Sequence, residues 1–302
     1  MTASGRAARI LRRVRPPVSR RRRGAADRLV TAAYREILGR DPDPGGAATY
    51  GELVARGRLD ADSLAATLRR SPEYLLGRTG FYERLHRSRM AWCATLPAWD
   101  TVLDIGGSSP TCELGALVEL GYPHTPREIH VVDLPEDQQF HGRPAYDQSV
   151  ERRRGDLTVT FHHADAARLD DLADLAGRRF DAVVMGQVIE HIPVEALPGV
   201  LAAVRRHLTP EGVFVFDTPN RALTRLVMGD ALLTADHTHE YTPDEMVGVL
   251  AAHGFTVDEV VGIHPLPDSV ARGEFDPHEE ADPPVVADPT ACFCFAVTAR
   301  PD

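Results

Sequence analysis

The chain has 302 residues, 43% of them hydrophobic, and a formal net charge of −10. That length buries a full-sized core with room for a small second domain, and no apolar run of about eighteen residues exists to span a membrane. Charge is unevenly divided: residues 1–40 hold twelve Arg against Asp27 and Glu36, a local net of +10, so the remainder carries −20 and would repel a phosphate backbone, which makes nucleic acid a poor substrate.

Residues 1–24, "MTASGRAARILRRVRPPVSRRRRG", are Arg-dense and broken by consecutive prolines. They read as a solvated, disordered tail. The functional alternative is a contact with an anionic lipid or an acidic partner, to which Ile10, Leu11 and Val14 add a weak apolar helix face. No apolar h-region follows the basic start, so a signal peptide is not expected. The four cysteines, Cys93, Cys112, Cys292 and Cys294, form no CxxC pair and read as free thiols of a cytoplasmic protein. All 34 basic residues are Arg, so no lysine is available as a catalytic base.

Residues 25–78 change character. "ADRLVTAAYREILGR" places Leu29, Ala33, Ile37 and Leu38 at helical spacing, and "DPDPGG" ends the helix as a turn. "AATYGELVARG" and "DADSLAATLRRSPEYL" predict further helices, with Asp60 or Asp62 as a cap and Pro72 opening another turn. The run "AYREILGRDPDPGG" and the closing "SPEY" resemble a family of short helical domains found in bacterial surface-associated and glycan-related proteins. That resemblance implies a small all-α accessory domain.

From residue 79 to 302 apolar β-branched runs alternate with helical segments. "TVLDIG", "EIHVVDL", "LTVTFHHAD", "FDAVVMG" and "GVFVFDTP" read as strands, and 111–121, 145–154, 167–176 and 194–208 as the helices around them. Such alternation predicts a doubly wound α/β domain with a mostly parallel sheet. "TPDEMVGVLAAHG" then reads as a helix, "FTVDEVVGI" as a strand, and "ACFCFAVTA" as a seventh strand with no helix before it, which makes it antiparallel.

Ligands of such sheets sit beyond the carboxyl ends of the strands. The first strand ends in "LDIGGSSP", where Asp104 and the pair Gly106 and Gly107 allow close approach to the backbone, and Ser108 offers an N–H and a hydroxyl. The second ends in "VVDLPE", where Asp133, followed by Leu134, suits two ribose hydroxyls. The third ends in "HHADAARL", where Asp165, with Ala166, suits an adenine amino group. A dehydrogenase would keep G-x-G-x-x-G, which is missing here. These segments, with "FDAVVMGQVIEHI", "LTPEGVFVFDTPN" and "HEYTPDEMVGVLAAHGF", resemble the class I S-adenosylmethionine (SAM) methyltransferases over residues 79–302. The resemblance implies a Rossmann-like seven-stranded fold and SAM as cofactor. It departs from the usual D-x-G-x-G-x-G, since Ser108 and Pro110 stand where glycines are expected.

"GQVIEHI" closes the fourth strand with Gln187, Glu190 and His191, and it has three readings. His191 is a general base for a hydroxyl proton. Alternatively the site holds a divalent metal, since the motif resembles the E-x-x-E-H of small-RNA 2′-O-methyltransferases and ubiquinone-pathway O-methyltransferases. That resemblance implies Gln187, Glu190 and His191 as ligands, with His237 of "DHTHEY" preferred over His239. Mixed N and O donors suit Mn, Fe, Zn or Ni better than Mg. In the third reading Glu190 caps a helix and His191 packs beneath the cofactor.

A roof over the acceptor is expected from 81–90, 218–241 and the acidic, Pro-rich 264–290 with His264 and His278. It suits a small-molecule or glycan acceptor. The function expected is O-methylation of a hydroxyl on a small molecule, sugar or natural-product scaffold. A degenerate SAM-binding or interaction module and an RNA 2′-O-methyltransferase are the alternatives.

Overall fold

The computed structural model describes residues 19–136, 138–139 and 144–302, and the chain divides into two compact units, Met1–Arg78 and Thr79–Asp302. The expected tail falls largely on residues 1–18, outside the described residues. Its last part is helical: Ser19 accepts the Arg22 N–H and starts α1, Arg20–Ile37, ahead of the expected start at residue 25.

Three more helices complete the first unit: α2, Pro44–Ala55; α3, Ala61–Arg69; and α4, Pro72–Gly77. Each starts at a short polar side chain that accepts a first-turn N–H, namely Asp43, Asp60 and Ser71. Asp41 pairs with Arg35, so both acids of "DPDPGG" are engaged in holding a turn. Val30, Tyr34, Ile37, Leu64 and Leu68 form the core of this unit.

The second unit opens with α5, Phe81–Cys93, and continues β1, Thr101–Ile105; α6, Ala116–Glu119; β2, Glu128–Asp133; β3, Arg152–Arg154; β4, Leu157–His163; and β5, Phe180–Gly186. After these come α7, Leu197–His207; β6, Leu208–Pro219; α8, Arg221–Met228; α9, Pro243–Ala252; β7, Phe255–Pro265; α10, Pro267–Arg272; β8, Val285–Val286; and β9, Cys292–Pro301. The strands form one sheet in the order β3-β4-β2-β1-β5-β6-β9-β7-β8. Strands β4, β2, β1, β5 and β6 are parallel, with Leu103 level with His130 and Val183. Strand β9 runs antiparallel to both β6 and β7. Leu103, Val183, Leu201, Phe214 and Phe216 lie in the buried core around this sheet.

Among the described residues the sheet has nine strands, the expected seven plus short antiparallel borders at β3 and β8. Strand β3 replaces the helix expected over 145–154. Gly155, at φ 59°, turns Arg152–Arg154 back onto β4, and the Asp147 carboxylate accepts both the N–H and the hydroxyl of Ser149, a local turn that competes with a helix. The helix expected over 111–121 shrinks to α6: Gly115 sits at φ 92°, and Glu119 accepts the hydroxyls of Ser109 and Thr111. The segment 167–176 forms two 3₁₀ turns, Ala166–Asp171 and Ala173–Leu175, the first opened by Asp165. Among the described residues no helix is long and apolar enough to cross a membrane.

Strand order reverses between β1 and β5, so the cleft of this sheet opens beyond their carboxyl ends.

Candidate functional site

A cleft of about 560 Å³ lies at that point, within the usual size of small-molecule sites. Gly106 from β1, Asp133 and Leu134 from β2, Asp165 and Ala166 from β4, and Gln187, Glu190 and His191 from β5 line it, together with His237. A second cleft of about 280 Å³ adjoins it through Gly106 and Gln187 and carries Asp104, Gly107, Ser108, Arg89 and Asp217.

Glycine is required at two positions of the first loop. Gly106 has φ 72°, and a Cβ there would meet Val188 at 2.4 Å; a Cβ on Gly107 would meet the Asp104 carboxyl at 2.1 Å. Asp104 is buried, and one of its carboxylate oxygens has no protein partner. Burial, reinforced by the charge of Asp133, pushes its carboxyl up to about 7. The Asp133 carboxylate accepts the N–H of Ser108 at 3.1 Å and that of Leu134 at 2.7 Å. The Ser108 N–H is therefore committed to Asp133, and its hydroxyl accepts from the Gln148 side chain. Asp165 accepts the Ala167 N–H and stays exposed at the cleft.

The other end of the large cleft is built from buried groups. The turn Ile189–His191 follows β5. Glu190 is fully buried; the Thr218 hydroxyl donates to one carboxylate oxygen at 3.0 Å, and the other has no protein partner. Burial pushes this carboxyl up to about 7 against the opposing pull of His237. The Glu190 carbonyl accepts the N–H groups of Thr238 and His239, which pins the 237–239 segment to the turn. One ligand atom each from Glu190, His191 and His237 then lies within 4.8 Å of the others.

Both imidazoles are oriented from behind. His191 Nδ1 lies 3.2 Å from the Asp236 carbonyl and 3.3 Å from its carboxylate. His237 Nδ1 lies 2.8 Å from the Glu240 carboxylate, which is buried and also accepts from Thr224, Leu233 N and Arg221. Burial would raise the Glu240 carboxyl, but the hydrogen bonds from His237, Thr224 and Leu233 hold it below its usual range. His239 turns away to Glu245 at 2.8 Å and takes no part. With Glu240 holding Nδ1, Nε2 is the nitrogen of His237 left for a ligand. An orphan carboxylate oxygen beside two braced imidazoles fits a divalent cation.

Gln187 lines the same cleft, with its side-chain nitrogen rather than its oxygen engaged by the protein. It has φ 59°, and its side-chain amide donates to Asp217 at 2.8 Å. Asp217 is fully buried and forms a two-pronged ion pair with Arg89 at 2.6 and 3.0 Å. This pair, like Asp236 and Glu240, escaped the sequence reading. The available signal was an acid inside the apolar strand "VFVFD", since a buried charge needs a partner.

The expected roof is only partly assembled. Leu233, Thr234, Asp236 and His237 of 218–241 line the large cleft, as does Tyr82 of α5. Segment 264–290 contributes to neither cleft. Its apolar and polar groups are engaged elsewhere: the Pro277 carbonyl accepts from Arg84, Phe275 packs edge-on against Phe81, and Glu279 accepts the first N–H groups of α10. His264 is buried against Ser88.

Residues 57–260 match the family model described as a methyltransferase domain. The chain is similar to the ubiquinone biosynthesis O-methyltransferase of Azorhizobium caulinodans, 30% identical over 135 residues, 38% of this chain and 51% of that protein. It is similar also to the tetracenomycin polyketide synthesis 8-O-methyl transferase of Streptomyces glaucescens, 27% identical over 182 residues, 58% of this chain and 49% of that one. The chain thus spans about half the length of these curated relatives. Among solved structures, a SAM-dependent methyltransferase of Thermotoga maritima, titled a possible histamine N-methyltransferase, aligns at 17% identity with a TM-score of 0.48, covering 75% of this chain and 97% of that one.

Proposed function

The chain belongs to the methyltransferase-domain family, and from that premise we infer that it transfers the methyl group of SAM to a hydroxyl of a small molecule or glycan. One observation carries this reading: Glu190, His191 and His237 converge within 4.8 Å on the same cleft that holds Asp133 and Asp165.

SAM supplies a methyl group on a sulfonium, ready for in-line attack. Asp133 accepts from the ribose hydroxyls and Asp165 from the adenine amino group, which leaves the reacting end toward β5. Holding the acceptor oxygen in line supplies most of the rate. The acceptor hydroxyl must also lose its proton. Glu190, His191 and His237 are the residues that would hold a divalent cation, with Mn, Fe, Zn or Ni suited to the N and O donors. Such an ion, when bound, lowers the pKa of the acceptor hydroxyl. Asp236 and Glu240 keep the two imidazoles aimed, and Thr218 fixes the Glu190 carboxylate. Gln187 stands at the same cleft with its amide nitrogen held by Asp217, which leaves its oxygen as the atom that would join this set. The titles of both curated relatives name O-methyl transfer, which supports oxygen as the acceptor atom.

The test is formation of S-adenosylhomocysteine (SAH) from SAM across a panel of phenols, sugars, amines and a short RNA, before and after exhaustive chelation. Turnover on a hydroxylated acceptor that chelation abolishes and Mn restores is the expected result. Turnover on amines alone, or none on any acceptor by a protein that binds SAM, overturns O-methylation. Full activity in the chelated, metal-free enzyme removes the cation and leaves His191 or His237 as the base.

A further inference from the structure

Ser108 stands where the resembled family carries a glycine, and what surrounds it is unusual. Its hydroxyl accepts from the Gln148 side-chain amide at 3.1 Å. The Gln148 amide oxygen accepts in turn from Gln139 at 2.9 Å, and the same Gln139 nitrogen lies 2.9 Å from the Leu134 carbonyl. It also lies 3.4 Å from the Ser108 hydroxyl, but an amide nitrogen has only two hydrogens, and the shorter contacts take them. All three side chains are buried, Ser108 at 4%, Gln139 at 9% and Gln148 at 1% exposure.

Burying two primary amides is unfavourable unless every polar atom is bonded, and an apolar plug would fill the space more cheaply. What the amides add is direction. They tie the loop after β1 to the loop after β2 at Ser108 and at Leu134. Those are the two residues whose N–H groups grip Asp133, one on each carboxylate oxygen. A carboxylate has about four acceptor positions. With one per oxygen taken by the backbone, one per oxygen remains, a spacing that suits a vicinal diol.

We propose that Gln139 and Gln148 are positioning residues for the cofactor: acting through Ser108 and Leu134, they fix the plane of the Asp133 carboxylate that receives the ribose. They do here what a glycine-rich loop does by tight backbone packing. The proposal rests on the SAM reading above, and its test separates the two. Calorimetric titration with SAH is run on wild type, Gln148→Met, Ser108→Ala and the double variant, with thermal midpoints recorded for each. Gln148→Met keeps the length of the side chain and removes its hydrogen bonds. Each single change weakens SAH binding by about tenfold, the equivalent of one hydrogen bond. The double variant is no weaker than the weaker single, because both remove the same link, and kcat of Gln148→Met at saturating SAM stays within about twofold of wild type. If Gln148→Met does not fold, Gln148→Leu, which has no group to bond Ser108, is read in its place. Wild-type affinity in the Gln148 variant, or additive losses in the double variant, overturns the clamp and leaves SAM binding standing. A folded wild type that binds neither SAM nor SAH overturns both.

Discussion

The two ends of the large cleft are made in different ways. At one end Asp133 and Asp165 are open to the cleft, and the backbone N–H groups of Ser108, Leu134 and Ala167, from adjacent loops, hold them. At the other end Glu190 is buried and His191 and His237 are half-buried, and side chains brace them: Thr218 for Glu190, Asp236 for His191, and Glu240, three residues on, for His237. The first end is a backbone device that recognises a ligand. The second is a side-chain device in which burial raises the Glu190 carboxyl, which suits chemistry more than recognition.

Breaking the buried end has the largest expected effect. His237→Ala lowers kcat by about 10²–10⁴-fold, as does His191→Ala, while SAH affinity by calorimetry is unchanged. Equal losses of both parameters would mean that the two ends do not divide the work. Asp133→Ala does the reverse. Removing a charged acceptor of two hydrogen bonds weakens SAH binding by about 1.5–3 kcal/mol per bond, with kcat at saturation preserved. Glu240→Gln keeps the shape but not the charge behind His237. It lowers activity by about 10–100-fold, measured as kcat with and without added Mn, and leaves SAH binding intact.

Which end could be read from sequence follows from this contrast. Asp104, Asp133 and Asp165 were visible because each closes an apolar strand, and a strand end is a local pattern. Glu190, His191 and His237 were visible as chemistry-bearing residues next to predicted ends. The braces at Thr218 and Asp236, and the Asp217–Arg89 pair, were not, because they meet their partners only through the fold: Thr218 lies 28 positions from Glu190 and Arg89 128 from Asp217. The parallel order and the antiparallel last strand were legible from alternation. The lost helices over 111–121 and 145–154 were not, since hydroxyl and carboxylate turns at Ser109, Glu119 and Asp147 outcompete a modest helical period.

A smaller effect concerns pH and lies away from the cleft. Burial, helped by Arg84 and Arg87, holds the His264 imidazole down at about 4. The unfolded chain then binds a proton below about 6.5 while the folded one does not, so this residue's contribution is complete above pH 6.5 and is lost as pH falls toward 4. Asp104, raised to about 7, acts in the opposite sense, its contribution fading as pH rises through that window. His264→Asn isolates the first effect: urea midpoints of the variant should fall less between pH 7 and pH 4.5 than those of wild type. An identical fall in both would show that His264 titrates normally. The smallest effect is expected from deleting residues 1–18 so that the chain starts at the Ser19 cap. That change leaves kcat and the thermal midpoint within error, and a large loss of turnover would assign the Arg-rich start to the site.

The borders of the sheet have a consequence for life in a crowded solution. One side ends on three consecutive arginines, Arg152–Arg154, and the other on the two-residue strand Val285–Val286. An exposed strand edge is a template on which a second chain can add, and short length and positive charge are two ways to deny it. Here both borders are short, and on the first Arg152 and Arg153 are paired with Glu113 and Glu151. The broad sheet that carries the cleft is thereby shielded from edge-to-edge polymerisation, and replacing the three arginines with threonines would turn that border into an aggregation seed.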